Sequence, residues 1–168
     1  KLDFQEFKIQ PVGFYSLRES LICGVEVFNF LKKTLNQKGF STAVGDEGGF
    51  APEIDSAEEA LDLISSSIQE AGYEVHKDVT FALDCAATEL LEDKEYVFSN
   101  REKLSSDELI EYLSNLADKY SITSVEDGLD ENDWAGWERL TKELGKKTQL
   151  VGDDLFVTNK DILQEGVD

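Results

Sequence analysis

Three short apolar runs each finish on an acid: FALDC places Asp84, TSVEDG places Glu126 and LVGDD places Asp153. Carboxylates can move protons or ligate a cation, and acids so far apart in sequence act together only if the fold gathers their strand ends on one face. Three gathered carboxylates repel one another. A hard divalent cation removes that repulsion, and an all-oxygen donor set completed by water or substrate suits Mg²⁺ and excludes a thiolate-seeking metal. The competing reading is that acids at strand ends open the next loop and cap helices, a role equally available to Asp127 and Asp154. A second acidic feature is AVGDEGGFAP, Ala43 to Pro52, where Asp46 and Glu47 stand among three glycines. Glycine permits tight backbone turns, so this loop either presents a carboxylate to a ligand or is a solvated turn after a helix.

The elements that must position these acids are legible in the pattern. Leu2, Phe4, Phe7 and Ile9 sit in a strand-like run that Pro11 closes, with Phe7 out of phase. From Ser16 to Lys38, Leu17, Leu21, Phe28, Leu31 and Leu35 recur at helical spacing and Gly39 follows as a stop, which predicts a helix with one apolar face. DSAEEALDLISSSIQEAGY predicts a second, started by Asp55 or Ser56, with Ala60, Leu61, Ile64 and Ile68 inward and Gly72 at its end. Strand and helix then alternate: VTFALDCAA, SSDELIEYLSNLADKY, ITSVEDGL, DWAGWERLTKELG, QLVGDDLFV and NKDILQEGV. The strands are near-continuous apolar runs, as in parallel strands covered by helices, so the fold class is α/β. LEDKEYVFSNREKLSS reads as a small hairpin or loop, and residues 1–168 as part of one domain.

With 168 residues and 40% hydrophobic content the chain can bury a core. Acids outnumber bases 36 to 16, a net charge of −20, which repels nucleic acid and anionic membrane surfaces and favours cations. Cys23 and Cys85 lie in no paired motif, which fits a reduced, cytoplasmic chain, and no apolar run is long enough for a membrane span. The first residues lack an initiator methionine and the last stop within a helical pattern, so the expectation is a piece of a longer protein.

The ordered set FQEF, AVGDEGGFAP, LDCAATE, SVEDGLDENDW and LVGDDLFVTN resembles the enolase family along the whole chain. GLDENDW and GDDLFVTN are worded most like its bacterial form. The resemblance implies an incomplete TIM-type (β/α) barrel from the enolase C-terminal domain, without the N-terminal domain or the last part of the barrel. It implies a glycolytic lyase that reversibly dehydrates 2-phosphoglycerate to phosphoenolpyruvate. Asp84, Glu126 and Asp153 match the family's magnesium ligands, Glu47 its general acid, Gln5 a substrate-binding glutamine and Glu6 a second active-site glutamate. Enolase-superfamily sites are established to pair a Lys or His base with one or two Mg²⁺ ions. A base lysine is expected after the end of this chain, which would leave the isolated chain inactive; a complete barrel of this kind needs about 250 residues. A homodimer or higher homo-oligomer is implied. Since members of the family also occur at cell surfaces, an acidic interaction segment stands as the reading from a different functional class.

Why such a site needs these groups follows from the reaction. Removing the proton alpha to a carboxylate gives a doubly charged enolate that positive charge must balance. Hydroxide leaves poorly unless protonated, so the second step needs a carboxylic acid, and a glutamate stays protonated near neutral pH only beside another acid or away from water. Glu6 near Glu47 would supply the first condition. The remaining candidates read as bland: His76 as solvated, Cys85 as packing, Trp134 and Trp137 as core or interface. DGLDENDW fails the calcium-loop template and GDEGG lacks a phosphate-loop lysine.

Overall fold

The computed structural model describes residues 2–45 and 47–167. Its first strand, β1, covers Glu6–Pro11, later than the alternation from Leu2 predicts. Leu2–Gln5 bend instead, because Phe4 is drawn into an aromatic cluster with its ring 6.0 Å from Phe98 and 6.2 Å from Tyr112. That anchoring also explains why Phe4 and Phe7 are out of phase.

Two helices follow. In α1, Leu17–Lys38, the Ser16 side chain accepts the Glu19 N–H at the start, and Gly39 ends it in the left-handed region at φ 80°. In α2, Ala57–Glu70, Ser56 accepts the Glu59 N–H, and Ala60, Leu61, Ile64 and Ile68 are all buried as their spacing predicts. The apolar stripe of α1 behaves differently. Leu17 is 76% exposed and Leu21 61%; of that stripe Leu35 is buried as expected, together with Cys23, Val27 and Thr34, which lie outside it. The face that packs is turned by roughly a quarter of a revolution from the predicted stripe and shares Leu35 with it, an offset that periodicity does not resolve where apolar residues spread over neighbouring faces of a helix.

The alternating part forms β2 (Val79–Asp84), α3 (Ser106–Tyr120), β6 (Ile122–Glu126), α4 (Trp134–Leu144), β7 (Gln149–Val151) and α5 (Lys160–Val167). Between β2 and α3 a short antiparallel sheet is built from β3 (Leu91–Glu92), β4 (Glu95–Val97) and β5 (Lys103–Leu104), one strand more than the hairpin expected there. The larger sheet has the order β1-β2-β6-β7 and is open among the described residues, with β2, β6 and β7 parallel. β2 is buried along nearly its whole length, as a parallel strand covered on both faces should be. Val12 and Gly13 N–H both bond the Asp78 carbonyl while Thr80 bonds Gln10, so β1 runs against β2. An antiparallel first strand brings its own beginning, Glu6, to the edge where the parallel strands finish.

The chain forms two compact units, Ile9–Thr80 in one and Asp3–Lys8 with the chain from Phe81 onward in the other. The first is centred on Cys23, Val27, Leu61, Ile68 and Val79. The second is centred on Phe81, Leu83, Leu109, Leu113, Val125, Leu140 and Leu144. There α3 starts with a reciprocal capping box, in which Ser105 and Glu108 bond each other's backbone N–H. Trp137 is core, donating its indole N–H to the Asp130 carbonyl at 3.1 Å. No described helix is long and apolar enough to cross a membrane.

Candidate active site

The second unit assembles its acids through strand register. Asp84, the last residue of β2, is the direct partner of Glu126, the last residue of β6. Residues in parallel register share a face, so the two carboxylates belong to one edge. Glu126 is in turn partnered by Val151 at the end of β7, and Asp153 follows two residues later, exposed, in the turn beyond the strand. Gln5 lies exposed immediately before β1, and Glu6 begins it, partly buried.

A positive charge sits among these acids. Lys8 Nζ donates to Glu126 Oε2 at 2.7 Å and lies 2.9 Å from Glu6 Oε2. Partial burial works against the ammonium, but the bonds to Glu126 and Glu6 outweigh it and hold its pKa above the usual lysine value. Burial also pushes the Asp84 carboxyl up to about 6; Glu126 and Asp127 add to the rise, while the Ala86 N–H and the Lys8 charge oppose it. Sequence reasoning assigned Lys8 no role in the site. The signal was available, since Glu6 and Lys8 are two apart in a strand and therefore project to one side.

Asp127 does not cap the helix after β6, whose N-cap is Asp133; it holds the turn beyond β7 instead. It is 4% exposed, with φ 44°, and its carboxylate accepts backbone N–H groups from Asp153 at 3.2 Å, Asp154 at 2.9 Å and Leu155 at 3.3 Å. Its own N–H donates to the Val151 carbonyl, and its carbonyl accepts from Ala87. One buried side chain therefore ties the turn carrying Asp153 to the end of β6. Burial raises the Asp127 pKa, and the three N–H groups only partly offset this. Cys85, beside Asp84, is buried with its thiol pushed well up, consistent with packing.

Glu47 belongs to the first unit. Its loop is a tight turn closed by its own backbone: Gly45 N–H bonds the Gly49 carbonyl, Gly48 N–H bonds the Gly45 carbonyl, and Val44 bridges Phe50. Gly48 has φ 86°, which requires glycine, and Phe50 stacks on Phe28 of α1 at 4.3 Å between ring centres. Glu47 is exposed on this turn. Asp46, its neighbour in the motif, lies outside the described residues.

Whether these acids suit a divalent ion can be judged from their donors. Asp84 and Glu126 offer only oxygen, stand in register, and already attract a cationic group, which is the chemistry a hard ion needs. Among the described residues no three acids are grouped closely enough to hold an ion, so the structure pairs Asp84 with Glu126 without drawing Asp153 into a triad.

Helices over a parallel sheet with carboxylates at the carboxyl ends of its strands are the arrangement of the α/β barrel class, which builds its sites on that face. Within that class the assignment is specific: the model for the enolase C-terminal TIM barrel domain matches residues 1–168, and the chain belongs to the enolase family. The open sheet is an incomplete wall of such a barrel. Membership points to an enolase-type lyase, a family that is generally Mg²⁺-dependent.

Proposed function

We propose that this chain contributes the acidic side of a site that interconverts 2-phosphoglycerate and phosphoenolpyruvate. The observation that carries the reading is the in-register pair Asp84 and Glu126 at the ends of adjacent parallel strands, with Glu6 and Lys8 completing a charged cluster. Asp84 and Glu126, with Asp153 as the third ligand that the motif resemblance implies though the turn holds it apart from them here, would hold Mg²⁺, which when bound supplies positive charge to the doubly negative carboxylate created by proton removal. Glu47 gives its proton to the departing hydroxyl, from a glycine turn able to approach after substrate binds. Glu6 assists as the second acid of the site, and Gln5 binds substrate. Lys8 is a poor candidate for the base, because its ion pairs keep it protonated. The reading therefore gives proton abstraction to no residue of these 168, and the chain alone should not turn over.

The test is Glu47→Gln in a catalytically complete enzyme carrying this sequence. The amide keeps the shape but has no proton to give, so water loss should fall by about 10² to 10⁴-fold while Mg²⁺ affinity and exchange of the alpha proton persist. Equal losses of water elimination and proton exchange would remove Glu47 from the role of leaving-group acid.

A further inference from the structure

Lys8 is the only cationic side chain bonded to the strand-end acids among the described residues: from β1 it reaches across to Glu126 and also pairs with Glu6 on its own strand. Its side chain is 39% exposed, so it is not locked into the core and has room to move. Glu126 is only 20% exposed and would be costly to leave without a positive partner, while Asp84 beside it already has its charged form disfavoured by burial. We infer that Lys8 is a resident counter-cation of this cluster, which bridges Glu126 and Glu6 until a divalent ion arrives, and then gives up Glu126 to the ion and keeps Glu6.

The inference rests on the proposed cation site at Asp84 and Glu126. The geometry supports exchange and not simple support. The 2.7 Å bond occupies one oxygen of Glu126, so an ion arriving at that carboxylate meets the ammonium at close range, and Glu6, already 2.9 Å from Nζ, can keep the ammonium on its own strand. An ammonium kept near the ion costs affinity, since like charges a few ångströms apart repel strongly where water is scarce. The cluster's affinity for Mg²⁺ is thus set partly by one lysine.

The experiment is calorimetric titration of the chain with Mg²⁺, for wild type, Lys8→Met and Lys8→Arg, with amine-reactive labelling of Lys8 followed in the wild type as Mg²⁺ is added. Lys8→Met keeps the stem and removes the charge, and should tighten Mg²⁺ binding by about tenfold or more. Lys8→Arg keeps the charge and should bind no more tightly than wild type. Labelling of Lys8 should rise as the ion displaces it from Glu126. Binding by Lys8→Met that equals or falls below the wild type, or ion binding that leaves Lys8 labelling unchanged, overturns the inference and leaves the cation site standing. Absence of binding in all three proteins overturns the cation site, and the inference with it.

Discussion

Replacing Asp127 by alanine removes a single carboxylate and strands three backbone donors. The loss can be worked from their lengths. A hydrogen bond to a charged group is worth about 1.5 to 3 kcal/mol net. Only the Asp154 bond, at 2.9 Å, is close to ideal, while those from Asp153 and Leu155, at 3.2 and 3.3 Å, share one oxygen. Asp153 and Asp154 are exposed, so their N–H groups can turn to water, whereas Leu155 is 5% exposed. Burial of the carboxylate offsets part of the gain, as its raised pKa indicates. These considerations leave about 2 to 4 kcal/mol for Asp127→Ala, a fall in Tm of roughly 5 to 12 °C for a chain of this size. Asp127→Asn keeps one oxygen but sets its NH₂ against a backbone donor, and should lose about half as much. Thermal melts give the first quantity. Amide hydrogen exchange then locates it: Asp153, Asp154 and Leu155 should lose protection ahead of β6. If Asp127→Ala melted with the wild type and those amides exchanged unchanged, the turn would be held by something other than this carboxylate.

Further outcomes follow from the same contacts. A Cβ on Gly13 would lie 2.6 Å from the Asp78 Cα and 2.8 Å from the Lys77 carbonyl, both rigid backbone, so Gly13→Ala should lower stability by about 1 to 3 kcal/mol in urea unfolding. Nothing lies within 4 Å of a Cβ at Gly24 in α1, so Gly24→Ala should raise stability by about 0.5 to 1 kcal/mol, and a loss would show that this stretch is not helical in solution. For the metal-free chain, Asp84 at about 6 binds its proton more tightly when folded than its ordinary value of 3.8 allows when unfolded. The unfolded state then holds fewer protons between those values, so the contribution of Asp84 to stability declines as pH rises from about 4 to 6 and levels off above. Urea midpoints across that range should show the decline in wild type and a flatter profile in Asp84→Asn; identical profiles would refute the assignment.

The local elements were legible because their determinants are local. Serines at 16, 56 and 105 cap helices through their own next turn, Gly39 supplies the left-handed stop, and the apolar runs ending at Asp84 and Glu126 are the parallel strands they resemble. The family was legible too, since the order of five short motifs survives without any knowledge of packing. The pairing of Asp84 with Glu126 could be anticipated, because parallel strands must finish on one edge.

What the tertiary structure alone decided depends on neighbours that periodicity does not encode. Whether the face of α1 bearing Leu17 and Leu21 or the one bearing Cys23 and Val27 is covered depends on what lies against the helix, and both are apolar enough to qualify. The reversed direction of β1 is invisible in its residues, yet it delivers Glu6 and Lys8 to the strand-end acids. Asp127 and Asp154 read alike in the sequence, and only the turn beyond β7 shows three N–H groups converging on Asp127. Hydrophobic pattern and capping act over one turn of helix or one pair of residues, so the sequence by itself determines the elements and the family; charge pairing and strand direction act across the fold, so only the folded chain determines which charges meet.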